Sequence, residues 1–417
     1  MEGSFFCAYI CRVEKQSMCS ARKFIILMNY ILFDGEERDN LLPLTYTKPV
    51  AELRIGILTI REKWEKYLGY TTSTLTEEYL SKKFPIVEAD INLMINGAYC
   101  PNEKLVELLK SLKEKEAVYY KDGLLAFVTV KDEEPELSDY TRIDFDGDLI
   151  HIEYPWDIFM NNERAIDEDF LLVTEGRESQ SISETNRVLK PENIFIEEGA
   201  EVEFAILNAS EGPIYIGKNA LVMENVSIRG RLALCESAVI KMGAKIYGST
   251  TIGPNSTVGG EVKNVILMAY SNKGHEGYLG NAVLGEWCNL GADTNNSNLK
   301  NNYAEVKVWN YPEERFIPTG LQFCGLIMGD HSKAAINTMF NTGTVVGVNA
   351  NIFGSGFPRN FVPSYSWGGS SKTVTYKTNK AIETAKLVME RKNIEFTEVD
   401  REIFEYIFEE TSKYRRD

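Results

Sequence analysis

A chain of 417 residues, 44% hydrophobic and 25% charged, is long enough for more than one folded domain. Its formal charge of −16 excludes a protein that works by gripping a nucleic-acid backbone, which takes clustered Lys and Arg. No apolar run approaches the about 20 residues that span a bilayer, and seven cysteines over this length make no disulfide framework, so a cytoplasmic enzyme is the default class.

Residues 1–27 hold Cys7, Cys11 and Cys19 but neither a regular pattern nor the apolar core of a signal peptide. Met28 is read as the start of the folded chain, with 1–27 an extension without a fold. Short apolar runs at 30–33, 92–96 and 124–130 are expected strands, and helical periodicity covers 57–67 and 102–114. This alternation predicts an α/β domain over 28–185 with a mixed or mainly parallel sheet. Tyr154-Pro155-Trp156 opens a connecting helix, and the polar stretch 175–185 reads as a linker.

Farther on, an aliphatic residue recurs at every sixth position: Ile216, Val222, Ile228, Leu234, Ile240, Ile246, Ile252 and Val258. A small or apolar residue stands two places before each, as at Ala220, Val226, Ala238 and Ala244. This hexapeptide period predicts a parallel β-helix, three units to a coil, occupying a domain at 186–365. The period breaks at 259–283, and an excursion at 293–320 leaves the prism before the pattern resumes at Met328, Ala334, Phe340, Val346 and Ile352. Residues 366–417 carry helical periodicity and are expected to cap or flank the solenoid.

Of the three histidines, His151, His275 and His331, the last two fall where the repeat is irregular. A neutral imidazole is the side chain best suited to accept a proton near pH 7. His275 lies between Gly274 and Gly277, which allow close backbone approach, and Lys263, Lys273, Tyr278 and Asn289 supply donors for a sugar phosphate. Asn295, Asn296 and Asn298 cluster where the chain leaves the prism and serve equally as turn formers. Ser332, beside His331, could donate to a leaving thiolate. In the first domain, Leu42-Pro43-Leu44-Thr45 and Lys48-Pro49 follow the first strand, with Lys48 and Arg54 as charges for a nucleotide phosphate, although Gly35 is the only glycine of that loop.

Gly274-His275-Glu276-Gly277-Tyr278-Leu279-Gly280, Lys263 twelve residues before its histidine, and Asn289-Leu290-Gly291-Ala292 followed by Asn298 resemble the bifunctional family that acetylates glucosamine 1-phosphate and couples it to UTP. The resemblance covers about 29–365. It implies a left-handed β-helix acyltransferase joined to a Rossmann-like nucleotidyltransferase domain, and a homotrimer with sites between neighbouring prisms. His275 would be the base. Lys263 and Lys245 would bind phosphate, Lys245 without the fork of the family's arginine. Tyr278, Asn289 and Asn298 would orient the sugar, with Ala292 and Ser332 on the acyl-CoA and Leu44, Thr45, Lys48 and Arg54 on the nucleotide. Where the family has a further tyrosine this chain has Leu299.

Magnesium is the cation the resemblance implies for the first domain. There, however, Gly-x-Gly-Thr-Arg is replaced by Gly35-Glu36-Glu37-Arg38, and the metal-binding aspartate by Ala98, so no metal ligand is assigned. The expected function is acyl-CoA-dependent N-acetylation of an amino sugar phosphate or nucleotide sugar. Alternatives are nucleotidyl transfer alone, with the solenoid as trimerisation scaffold, and a non-catalytic nucleotide-sugar-binding protein.

Overall fold

The computed structural model describes residues 28–415 apart from 132 and 134, so the expectations placed on 1–27 and its cysteines lie outside the described residues. Strand Asn29–Phe33, apolar at most positions, is buried almost throughout, as suits a central strand covered on both faces. It pairs in parallel with Ser73–Leu75 and Ile91–Asn96. Ile91–Asn96 then pairs antiparallel with Gly123–Val130, and Glu116–Tyr120 extends that edge, followed in parallel by Thr141–Asp144. The sheet is therefore mixed. Helix Ile60–Leu68 starts at a capping box of Thr59 and Glu62 and stops at Gly69, whose φ of 65° is left-handed. Asn102 caps the helix Glu103–Lys110.

Helix Pro155–Thr174 crosses from the sheet to the solenoid. There the six-residue period becomes geometry: Ile214 lies beside Leu232, and Leu232 beside Thr250, each eighteen residues on. The aliphatic hits point inward and are buried, Ile240, Ile252 and Val258 completely. Each coil thus closes over the apolar face of the one before it. One face of the prism carries ten strands, the last of which, Thr373–Thr375, returns antiparallel to Ser366–Gly368. The solenoid is a parallel β-helix, as expected. It begins at Arg187–Leu189, earlier than the aliphatic pattern, and runs to Ser366–Gly368.

Two readings of the repeat need correction. Across 259–283 the coils do not stop but shorten: Thr251 pairs with Ile266 and Ile266 with Val283, fifteen and seventeen residues on. Asn295–Asn296 is likewise still a strand of the prism, paired with Met339–Phe340. The excursion starts beyond it and folds into the hairpin Lys307–Asn310 and Arg315–Pro318.

Sheet and solenoid share one apolar core in which Leu44, Leu53 and Trp64 join Ile266, Met268, Val283 and Ile327. Helix Pro155–Thr174 is bolted to the coils by Asn162, whose Nδ2 donates to Ser249 O at 2.9 Å, and by the Arg231–Asp167 ion pair at 2.8 Å. Helices Thr378–Glu390 and Glu398–Glu410 return to the first domain, where Lys83 meets Asp400 at 2.8 Å and Tyr79 stacks on Tyr406 at 3.9 Å.

Candidate functional site

His275 stands two residues beyond the second-face strand Asn272–Lys273, at a corner of the prism, and is exposed. The same corner position on other coils is held by Phe204, Met242 and Ile336, each two residues after a buried strand residue, and these are 60%, 65% and 67% exposed. The chain can turn so tightly here because Gly277, with φ of 115°, faces Thr294 O; a Cβ would lie 2.2 Å from that oxygen. Asp293 N donates to Glu276 O at 3.0 Å, tying the next coil beneath.

Just past the corner, Lys245, Glu261 and Tyr278 sit side by side on adjacent strands, and Tyr247 neighbours Lys263. Because Ile246, Val262 and Leu279 point inward, these residues point out. Tyr247 donates to Glu261 Oε1 at 2.6 Å, and Lys263 Nζ lies 5.5 Å from the Tyr247 ring centre. Asn298 Nδ2 donates both to the Tyr278 hydroxyl at 3.0 Å and to Asn281 Oδ1 at 2.8 Å, which fixes the phenol. Burial raises the Tyr278 pKa, keeping it a neutral hydrogen-bonding group. Asn295 and Asn296 serve the backbone: their Oδ1 atoms accept from Tyr278 N and Gly280 N, each at 2.7 Å.

Lys273 is buried behind this corner, its ammonium donating to Gly259 O at 2.9 Å and to His275 O at 2.7 Å. Burial pushes its pKa down to about 8, reinforced by Lys245 and opposed by Glu276 and Asp293. The unfolded chain keeps this lysine protonated up to about 10.4, so between about 8 and that value the folded chain holds fewer protons and stability rises with pH. Urea midpoints measured from pH 7.5 to 10 are expected to climb in the wild type and to climb less in Lys273→Met.

The remaining sequence-predicted residues lie elsewhere. Asn289 is around the corner on the second face, where Asn272 Nδ2 donates to its Oδ1 at 2.8 Å. Ala292 is half-buried at the corner one coil below His275, and its carbonyl accepts from Asn337 N at 2.8 Å. Ser332 points into the solenoid, fully buried, donating to Gly347 O at 2.6 Å and accepting from Ala350 N at 2.9 Å, so its hydroxyl does not face a thioester. Leu44, Thr45, Lys48 and Arg54 are buried among the sheet domain, the solenoid and the C-terminal helices. Lys48 Nζ lies 2.7 Å from Glu286 and 2.9 Å from Asp330, and Arg54 Nη1 donates to Ile57 O; neither charge is presented to a phosphate.

The open cleft of the first domain uses residues that the motif search passed over. Glu37, on the turn after the first strand, accepts from His151 Nε2 at 2.9 Å, and His151 stacks on Tyr99 at 4.2 Å. Asn96 Nδ2 also reaches Glu37, at 3.2 Å and 3.3 Å from its two oxygens. These hydrogen bonds outweigh desolvation, the largest single influence, and hold the Glu37 carboxyl below the usual range. Among the described residues no helix is long and apolar enough to cross a membrane.

Residues 30–178 match the family model described as sugar nucleotidyl transferase. A bifunctional sugar-1-phosphate nucleotidylyltransferase/acetyltransferase from Sulfurisphaera tokodaii is 32% identical over 152 residues, 32% of this chain and 37% of its own. Bifunctional protein GlmU from Methanocaldococcus jannaschii is 30% identical over 268 residues, 62% of this chain and 55% of its own. The chain thus spans between about a third and a little over half the length of these relatives. Among solved structures, the polySia specific acetyltransferase NeuO aligns with a TM-score of 0.27 and 14% identity over 50% of this chain and 94% of that chain, a likeness too low to bear on mechanism. By sequence, residues 30–178 are similar to the sugar nucleotidyl transferases, and the chain is similar in part to proteins described as bifunctional nucleotidylyltransferase/acetyltransferases.

Proposed function

We propose that the solenoid transfers an acetyl or other acyl group from its coenzyme A thioester to the amine of an amino sugar phosphate or nucleotide sugar. The observation that carries this reading is the exposed His275 corner, with Lys245, Lys263, Tyr278 and Asn298 on the adjoining face. The amine nitrogen attacks the thioester carbonyl carbon, His275 takes the amine proton, and the carbon–sulfur bond breaks as the imidazolium returns that proton to the departing sulfur, releasing the thiol. Backbone N–H groups near Ala292 would steady the oxyanion, commonly the larger effect. Lys245 and Lys263 bind the phosphate, while Tyr278, Asn298 and, from the neighbouring face, Asn289 orient the sugar.

Phe204, Met242 and Ile336, exposed at separate coils of the His275 edge, support packing of that edge against a second prism in a homotrimer. A coupled assay of acetyl-CoA consumption against a panel of amino sugar 1-phosphates tests the reading. Thiol release with at least one of them is expected, and none with any would overturn it.

The family match of 30–178 favours a second activity, nucleotidyl transfer with magnesium. The cleft does not fit that ion well. Position 98 is a buried alanine, Glu37 is engaged by His151 and Asn96, and Asp157 accepts the amides of Glu153 and Tyr154 at 3.0 Å and 2.8 Å. Among the described residues no group of three His, Cys, Asp or Glu side chains converges on a common point for a metal ion.

A further inference from the structure

Down the second face of the solenoid the inward position passes from Ile240 to Val258, Lys273, Leu290 and Ala334, each beside the next on successive coils. Lys273 is the one charged residue of that column, and at 1% exposed it is as buried as its aliphatic neighbours. An ammonium withdrawn from water costs stability unless it is paired. Among the described residues no carboxylate comes within ion-pair distance of this one; Glu276 and Asp293 act on it only from farther off. The scaffold alone would be served better by another valine or leucine.

What the lysine reaches is the His275 corner. Its Nζ donates to Gly259 O at 2.9 Å and to His275 O at 2.7 Å, so one side chain ties two successive coils together. Neither carbonyl accepts a backbone N–H among the described residues. The preceding coil is shaped to the same corner: a Cβ on Gly259 would lie 2.7 Å from Gly274 O, and one on Gly260 2.9 Å from His275 O. The imidazole itself makes no hydrogen bond among the described residues, so its place is inherited from the main chain that Lys273 holds. We propose that Lys273 is a positioning residue for acyl transfer: through the His275 carbonyl it fixes where the imidazole meets the substrate amine. This rests on the acyl-transfer function proposed for the solenoid. A misplacement of about 1 Å can cost on the order of 10²-fold in rate, whereas a lysine that only satisfied two carbonyls would affect stability and not turnover.

Steady-state kinetics of Lys273→Met, with acetyl-CoA and the amino sugar 1-phosphate that the wild type turns over, test the proposal. Methionine keeps an unbranched apolar stem and loses the donors. Its kcat is expected to fall at least about tenfold while KM for either substrate changes less than about twofold, the pattern of a displaced base with ground-state binding kept. Lys273→Gln, whose amide can still donate to one carbonyl, should recover part of the loss. Lys333→Met is the control. That lysine likewise donates to a histidine carbonyl, His331 O at 2.8 Å, but away from the His275 corner, and its loss should leave kcat within about twofold. Amide exchange in Lys273→Met should quicken over 272–280 while the coils at 214–252 keep their protection. Circular dichroism establishes that each variant is folded; if Lys273→Met is not, Lys273→Gln carries the comparison with wild type. An unchanged kcat in the folded variant, or an equal loss in Lys333→Met, would overturn this role while acyl transfer stands. No turnover by the wild type would overturn both.

Discussion

His275→Ala is expected to lower the rate of acetyl-CoA-dependent acylation by roughly 10²- to 10⁴-fold, the range for loss of a positioned general base, while leaving the thermal midpoint within about a degree. The two halves of that expectation separate catalysis from scaffold. The imidazole is exposed and makes no side-chain hydrogen bond or ring contact among the described residues. Its backbone does the structural work, through the carbonyl that accepts from Lys273. Truncating an exposed, unbonded side chain falls in the class of surface substitutions usually within about 0.5 kcal/mol. A histidine that merely pinned its loop would give the opposite pattern, with lost stability and retained turnover. Tyr278→Phe supplies a graded control: it removes the hydroxyl that accepts from Asn298 and should raise KM for the sugar more than it lowers kcat. Undiminished thiol release by His275→Ala would sink the assignment.

The solenoid was largely legible because its signal is redundant: each aliphatic hit repeats the same burial, and Ile246, Ile252 and Val258 are interchangeable evidence for one architecture. The period misled where a coil shortens and where the excursion begins, beyond Asn295–Asn296. Between Thr251 and Ile266 the residue count slips by three, yet the backbone ladder continues, so a counting argument sees a break where hydrogen bonding shows none. His275 was reachable from its local phrase, because the glycine at 277 and the tyrosine at 278 are both needed to make that corner and its wall.

What could not be read were contacts between residues distant in the chain. Lys48 looks like a phosphate ligand inside Thr47-Lys48-Pro49 because nothing nearby in sequence neutralises it; its partners, Glu286 and Asp330, lie on the solenoid. The Glu37–His151 pair was hidden in the same way, one member on the turn after the first strand and the other ahead of the connecting helix. Ser332 shows the converse. Its neighbour His331 suggested chemistry, but the alternation of the prism turns the hydroxyl inward.

Lys48→Met should be among the most destabilising single substitutions in the chain, by about 3–5 kcal/mol, the cost of stranding a buried charge. The lysine side chain is 5% exposed and Asp330 4%, so both charges have left water and depend on each other. Glu286 completes the triad at 2.7 Å, and Thr47 Oγ1 adds a hydrogen bond to Asp330 Oδ2 at 2.6 Å. The two carboxylates raise the lysine pKa against the opposing effect of burial. A raised lysine pKa stabilises the fold fully below the unfolded value near 10.4, so the triad is at full strength throughout the neutral range. Because it joins the sheet domain to the solenoid, its loss loosens the junction, and limited proteolysis should cut Lys48→Met faster near residues 286 and 330. Asp330→Asn in the Lys48→Met background removes the stranded carboxylate, so the double variant should lose less than the sum of the single losses, with a coupling of about 0.5–3 kcal/mol. Urea midpoints of the four proteins measure this. A role in phosphate binding predicts instead an unchanged midpoint for Lys48→Met and additive losses; that outcome would return Lys48 to the nucleotide.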